Sequence, residues 1–328
     1  MTPSQEQLRW MYRTMLLSRR FEEAIAAAYF EGKQPAFNMA NGPIPGEMHL
    51  SNGQEPCAVG VCAHLEAGDF VTATHRPHHI AIAKGVNLKA MAAEIFGKRT
   101  GLSGGRGGHM HLFDAQVNFS CAGIIGEGMG PAVGAAAAFR QRGENRVAVS
   151  FIGEGAANQG AFHEALNLAA VWQAPVVFVI EDNAWGISVA KRDSTAVADN
   201  ALRAAAYGMP GHRVTGNDPL RVFAVAGEAI ARARAGEGPS LIEIETYRLE
   251  GHFMGDAEGY RAEGEVAGLK AKDPIAVLRQ QLLESGTVDA TADPRIQAEA
   301  QSTVDEAIAA ARAAPFPAAQ EAYEQVYA

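Results

Sequence analysis

Two short apolar runs, residues 147–152 (VAVSFI) and 176–180 (VVFVI), constrain the fold of this chain more than any other feature. Both are rich in β-branched and aromatic residues and lack a polar face, so each reads as a strand covered on both sides. Helical spacing fills the interval at 161–172. Strands buried on both faces require helices above and below, which is the arrangement of a parallel sheet. The alternation continues through a strand at 69–74, a helix at 81–96, a small-residue helix at 131–142, a helix at 220–234 and a strand at 240–245. A first helix is predicted over 4–29, where Ser4 and Gln7 have capping-box spacing and Leu8, Met11, Tyr12, Met15 and Leu16 recur on one face. Residues 32–53 and 100–126 are Gly-rich without periodicity and read as loops, and the chain from Pro274 onward reads as helical. The sequence therefore predicts an α/β fold, a parallel sheet with helices on both faces. It divides into an N-terminal helical arm (1–30), an α/β domain (31–265) and a C-terminal helical extension (266–328).

Charge narrows the partners. The 28 Lys+Arg and 37 Asp+Glu give a net charge of −9, with no long like-charge run, which argues against nucleic acid or an anionic membrane as a partner. A small anion would need a local positive site. Cys57, Cys62 and Cys121 are odd in number and form no Cys-x-x-Cys pair, so they read as packing residues in a reducing compartment. No apolar stretch is long enough to span a membrane, and the first residues resemble neither a signal nor a transit peptide, so the expectation is a cytoplasmic protein.

The two central strands end in residues that share one kind of chemistry. The first runs into Gly153-Glu154-Gly155-Ala156 and the second into Glu181-Asp182-Asn183. In an open parallel sheet, ligands gather beyond the carboxyl ends of the strands, where helix N-termini present unsatisfied amides. The glycines allow close approach of an anion, the following helix offers its positive end, and a carboxylate with an amide oxygen suits a hard divalent cation. A metal-bridged diphosphate meets all three conditions. A dinucleotide fingerprint does not, because its third glycine would fall at Asn158, and no Gly-Lys-Ser/Thr follows any Gly-rich loop.

The segment from Gly153-Glu154-Gly155 through Pro175 to Glu181-Asp182-Asn183 resembles the thiamin-diphosphate motif of the alpha subunits of 2-oxo acid and acetoin dehydrogenases. Further pieces agree in order: Gly53-Gln54-Glu55, His75-Arg76, the loop from Gly104 to His111, Gly123-Ile124-Ile125-Gly126, and Tyr247-Arg248 with Gly251-His252. The resemblance spans nearly the whole chain, and the His75-Arg76 form is closer to the acetoin type. It implies the thiamin-diphosphate-binding, transketolase-like fold, specifically its diphosphate-binding half. It also implies Glu154, Asn183 and the Trp185 carbonyl as ligands of Mg²⁺. Gly153, Gly155, Ala156, His75 and Arg76 would lie against the diphosphate, with Arg248 beside His252. Gly123 and Ile125 would flank the aminopyrimidine, and His252 and His78 would serve catalysis. Two residues depart from the motif. Glu154 stands where the family has Asp, a methylene longer and more easily accommodated by Ca²⁺, and Asp182 stands where it has Asn. Where mitochondrial pyruvate enzymes carry a phosphorylated Ser, this chain has Phe253.

The acid that activates the cofactor's pyrimidine lies, in this family, on a beta subunit. The resemblance thus implies an α2β2 heterotetramer, and an acyl fragment passed from acetoin or a 2-oxo acid to a lipoyl group on an acyltransferase. A carboligase with another acceptor, and a regulatory paralogue that has lost tight metal binding, are the alternatives.

Overall fold

The computed structural model describes residues 1–33 and 37–324. Parts of the expected 32–53 loop (34–36) and of the C-terminal extension (325–328) lie outside the described residues. The strands are β1 (Phe70–Ala73), β2 (Phe113–Asp114), β3 (Phe119–Cys121), β4 (Ala148–Gly153), β5 (Val176–Asp182), β6 (Trp185–Gly186), β7 (Val189–Ala190), β8 (Gly211–Val214) and β9 (Ser240–Glu245). The helices are α1 (Gln5–Phe30), α2 (Glu55–Cys62), α3 (His78–Lys84), α4 (Leu88–Ile95), α5 (Met129–Gln141), α6 (Gly160–Val171), α7 (Lys191–Ser194), α8 (Pro219–Arg234), α9 (Glu265–Lys270), α10 (Pro274–Glu284) and α11 (Ala292–Ala313).

Seven strands form one sheet in the order β2-β3-β1-β4-β5-β9-β8, and only the β2–β3 pair at its edge is antiparallel. The expected α/β architecture is present. Period-two alternation sends β5 to two cores at once: Val177 and Val179 join the cluster that holds residues of α1, α2, α8 and α11, while Val176, Phe178 and Ile180 join that of α5 and α6. Each face is covered, which is why these strands have no polar side.

Local chemistry sets the helix ends. Ser4 caps α1 with a reciprocal Gln7 contact, as the spacing predicts. Asp218 and Asp273 cap α8 and α10, each followed by a Pro at the first helical position. Asp273 also accepts from Arg19 at 2.7 Å, and Arg19 donates at 2.7 Å to Glu55, so one guanidinium ties α1, α2 and α10 together.

The helix predicted over 81–96 is in fact two. Gly85 at φ 93° closes α3, and Asn87 opens α4 by accepting from the Ala90 amide. A single helix cannot pass through a left-handed residue. The 100–126 segment, expected as loop alone, contains β2 and β3, and β8 was not anticipated. β3 and β8 persist by pairing with β1 and β9, which are distant in the chain, and β2 by pairing with the nearby β3.

Register is what builds a site. Gly153 is level with Glu181, Asp182 with Glu245, and Thr72 with Ser150. Residues 74–76, 153–156, 182–185 and 246–252 therefore leave the sheet along one edge. β3 follows β1 in the chain but lies on the opposite side of it from β4, so the order reverses between β1 and β4. A crevice opens there.

Candidate active site at the carboxyl edge of the sheet

A cavity occupies this switch point. His75, Arg76, Ile125, Gly153, Glu154, Gly155, Ala156, Asn183, Trp185 and His252 all line it. Of the residues singled out from sequence, Gly123, His78 and Arg248 do not. Gly123 lies one residue outside the lining, next to Met110 and His111. Arg248 is buried under the turn that carries Trp185. His78 is fully buried behind the cavity, with Nδ1 3.0 Å from Glu22 Oε2.

The glycines of the first strand end leave space open. A Cβ on Gly153 would meet nothing within 4 Å, and one on Gly155 only the Gly186 Cα at 3.7 Å. By contrast a Cβ on Gly128 would strike the Thr72 side chain at 2.9 Å, so that glycine is there for packing. Gly153 and Gly155 both line the cavity, so the room they leave opens into it.

Glu154 is 2% exposed, and its Oε2 is 3.4 Å from the Asn183 amide. Burial, followed by the neighbouring Asp182 carboxylate, pushes its pKa up to about 7. Asp182 itself turns away. Its Oδ1 accepts from the Ala184 amide at 3.0 Å, and its Oδ2 meets the Lys191 ammonium at 2.5 Å, which also reaches Glu243 at 2.6 Å. The turn beyond is strained: Ala184 at φ 68° and Ile187 at φ 57° bracket Trp185, a conformation that side chains resist. Arg248 holds this turn from beneath, with Nη1 3.1 Å from the Ile187 carbonyl and 3.5 Å from that of Trp185, and Nη2 2.7 Å from the Tyr260 hydroxyl. A carboxylate, an amide oxygen and a fixed carbonyl form an all-oxygen donor set, which suits a hard divalent cation. The residues present fit that group.

Arg76 departs from the simple picture of a phosphate fork. Its guanidinium is 3% exposed and donates to the Leu50 carbonyl at 2.8 Å and the His252 carbonyl at 2.5 Å, with Nη2 3.2 Å from His252 Nδ1. It joins the strand-end loop to the loop of His252. Burial and the nearby Arg248 lower its pKa to about 9, which leaves it charged at neutral pH. Burial, then Arg76 and Arg248, lower His252 to about 4, so this imidazole is neutral.

One residue escaped the sequence reading altogether. His49, 4% exposed in the 32–53 loop, stands edge-on to His75 and His252, with ring centroids 4.7 and 5.0 Å away, and lies against His109. Half of the ten histidines (His49, His75, His78, His109 and His252) thus gather at or behind one cavity. No spacing links them, because the fold draws them from four separate loops and a helix end. His109 is buried, and its Nε2 accepts from the His49 backbone N–H at 3.1 Å.

No helix among the described residues is long and apolar enough to cross a membrane. Residues 13–320 match the model of the family described as the dehydrogenase E1 component. The chain is 44% identical to the alpha subunit of the acetoin:2,6-dichlorophenolindophenol oxidoreductase of Bacillus subtilis, covering 99% of this chain and 94% of that one. It is 41% identical to the corresponding subunit from Cupriavidus necator (98% and 94% covered). Against the pyruvate dehydrogenase E1 component subunit alpha of Porphyra purpurea it is 38% identical (97% and 92% covered).

Proposed function

The chain belongs to the dehydrogenase E1 component family, and on that premise we propose how its site serves a thiamin-diphosphate-dependent dehydrogenase of which it is the alpha subunit, working with a beta subunit. The substrate is acetoin or a 2-oxo acid, and the acyl fragment passes to a lipoyl carrier. The observation that carries this reading is the level register of two strand ends, with open space at Gly153 and Gly155 beside the Glu154 carboxylate.

Glu154, Asn183 and the Trp185 carbonyl hold the cation, Mg²⁺ or Ca²⁺. Gly155, Ala156 and His75 receive the diphosphate, while Arg76 adds positive charge and orients His252. Ile125 would flank the aminopyrimidine, with Gly123 one residue outside the cavity lining. When bound, the cofactor supplies the carbanion chemistry that side chains lack. His252, which lines the cavity, would face the reacting end of the bound cofactor, and Arg248 holds the turn whose Trp185 carbonyl would bind the metal. His78 acts from behind, through the loop of His109. The Lys191 contact on Asp182 supports a working site over a degenerate paralogue, because the ammonium, shared with Glu243, offsets part of the charge that Asp adds in place of Asn.

An apolar rim surrounds the mouth, with Ile124, Ile125, Ile187 and Val189 each about half exposed or more. This supports burial of the mouth against the beta subunit in an α2β2 assembly. Native mass spectrometry of the tagged chain captured from its own cells, with thiamin diphosphate and Mg²⁺ present, tests the reading. The expected species is a heterotetramer with two cofactors. An active homo-oligomer would overturn the split site, and a heteromer that never takes up cofactor would overturn the enzymatic role.

Glu154 adds a prediction about pH. Its pKa rises from 4.5 unfolded to about 7 folded. Between those values the folded state holds more protons than the unfolded one, so the stability of the cation-free protein falls as pH rises through that window, by roughly 3 kcal/mol in total. A bound cation removes the penalty. Binding at pH 7 should therefore expel roughly half a proton, read by calorimetry in buffers of different ionisation heat. Glu154→Gln should bind without that release, and more weakly. An unchanged proton count in the variant would exclude Glu154 as the source.

A further inference from the structure

Resting on the assignment of this cavity to a cation-bridged diphosphate, we propose that His79 is a positioning residue. Through Glu181 it sets the spacing between the segment of His75 and Arg76 and the strand end that offers Asn183 and Trp185.

Three neighbouring strands supply the edges of the cavity, and the middle one does little to hold the outer two at a fixed distance. β4 lies between β1 and β5 and runs into Gly153-Glu154-Gly155. A Cβ on Gly153 would meet nothing within 4 Å, and one on Gly155 only the Gly186 Cα at 3.7 Å, so neither position offers a side chain for its neighbours to pack on. Glycine also leaves the backbone its widest freedom.

The register shows where a tie crosses this gap. Glu181 is level with Gly153. Alternation along β5 places it on the face of Val177 and Val179, toward α2 and α3, whereas Asp182 shares the opposite face with Phe178 and Ile180. α3 begins at His78, two residues past Arg76. In its first turn His79 donates from Nε2 to Glu181 Oε1 over 2.6 Å, with His79 fully buried and Glu181 2% exposed. Among the described residues this is the only side-chain hydrogen bond from 74–84 to β5. It falls three residues after Arg76 and two before Asn183.

Stability alone is a poor account of the pair. His79 Nδ1 and Glu181 Oε2 find no partner in the chain, and a buried polar pair left partly unsatisfied stabilises less than apolar side chains of similar volume. Its geometry, by contrast, is strict. A short contact between a planar ring and a carboxylate tolerates little displacement, and a shift of one ångström at a site of this kind is felt on the order of a hundredfold.

The test uses the complete alpha–beta complex. It reads the affinity for Mg²⁺ at saturating thiamin diphosphate by titration calorimetry, beside the melting temperature of the cofactor-free complex. His79→Leu should weaken Mg²⁺ binding on the order of 10- to 100-fold. His79→Gln, whose amide nitrogen can take the place of Nε2, should regain most of that loss. The double variant His79→Leu with Glu181→Leu removes the orphaned carboxylate as well, so its melting temperature should return toward that of the wild type while Mg²⁺ affinity stays low. Affinity that recovers together with the melting temperature in the double variant would reduce the pair to a stabilising contact and overturn the proposal. Unchanged affinity in His79→Leu would do the same. Should His79→Leu fail to fold, the double variant and His79→Gln decide between these results. Failure of the wild-type complex to bind Mg²⁺ with thiamin diphosphate would instead overturn the assignment beneath it.

Discussion

Replacing Glu94 with alanine is expected to lower the melting temperature of the protein by on the order of 5–10 °C and kcat/KM of the complex by a hundredfold or more. Glu94 is completely buried at the end of α4, and its carboxylate accepts from three backbone amides of the glycine loop: Ser103 at 2.7 Å, Gly105 at 2.9 Å and Gly107 at 2.6 Å. This loop has no regular structure to satisfy its own amides, so the side chain does so. Removing it leaves three donors short of a partner, at about 1–3 kcal/mol for each that water cannot reach. The loop leads directly into His109, which supports His49 against the cavity-lining His75 and His252. Displacement of even an ångström would then reach the site. Scanning calorimetry and amide exchange over residues 101–108 would check this. Glu94→Gln, which keeps one accepting oxygen, should fall between wild type and alanine. Unchanged protection of the loop in Glu94→Ala would show that Glu94 does not organise it.

Arg76→Leu is expected to lower kcat/KM by on the order of a hundredfold and to change the shape of the pH profile. The guanidinium holds two carbonyls and the ring of His252, and its charge helps to keep that imidazole near pKa 4. Without it the His252 pKa should rise part of the way, because burial, the larger cause, and Arg248 still hold it down. If neutral His252 is the working form, the wild type loses it only below about pH 4, whereas the variant should lose it at a higher pH. Stability follows the same linkage. In the wild type the unfolded state binds more protons between about pH 4 and 6.5, so folding strengthens as pH rises through that window, and the variant should flatten this slope. Arg76→Lys keeps the charge but not the planar fork. It should leave His252 depressed while still losing activity, which separates charge from geometry. An unchanged His252 titration in Arg76→Leu, followed by NMR, would rule out this coupling.

The family, the sheet and most of the cavity lining were legible in the sequence because they are encoded locally. Two apolar strands of residues 147–152 and 176–180 have no polar face and so demand a covered parallel sheet. Short motifs at their ends name a diphosphate and a cation by residue type alone, and the capping residues Ser4 and Gln7 act on their immediate neighbours. What only the tertiary structure decided depends mostly on partners distant in the chain. The strands β3 and β8 are too short to show a period and exist through pairing with β1 and β9, and β2 follows by pairing with β3. The role of Arg76 turned on which carbonyls came within its reach, and that of His78 on the burial that set it against Glu22 rather than in the cavity. His49 carries no motif of its own. Register and loop packing brought it against His109 and against His75 and His252, two residues that line the cavity.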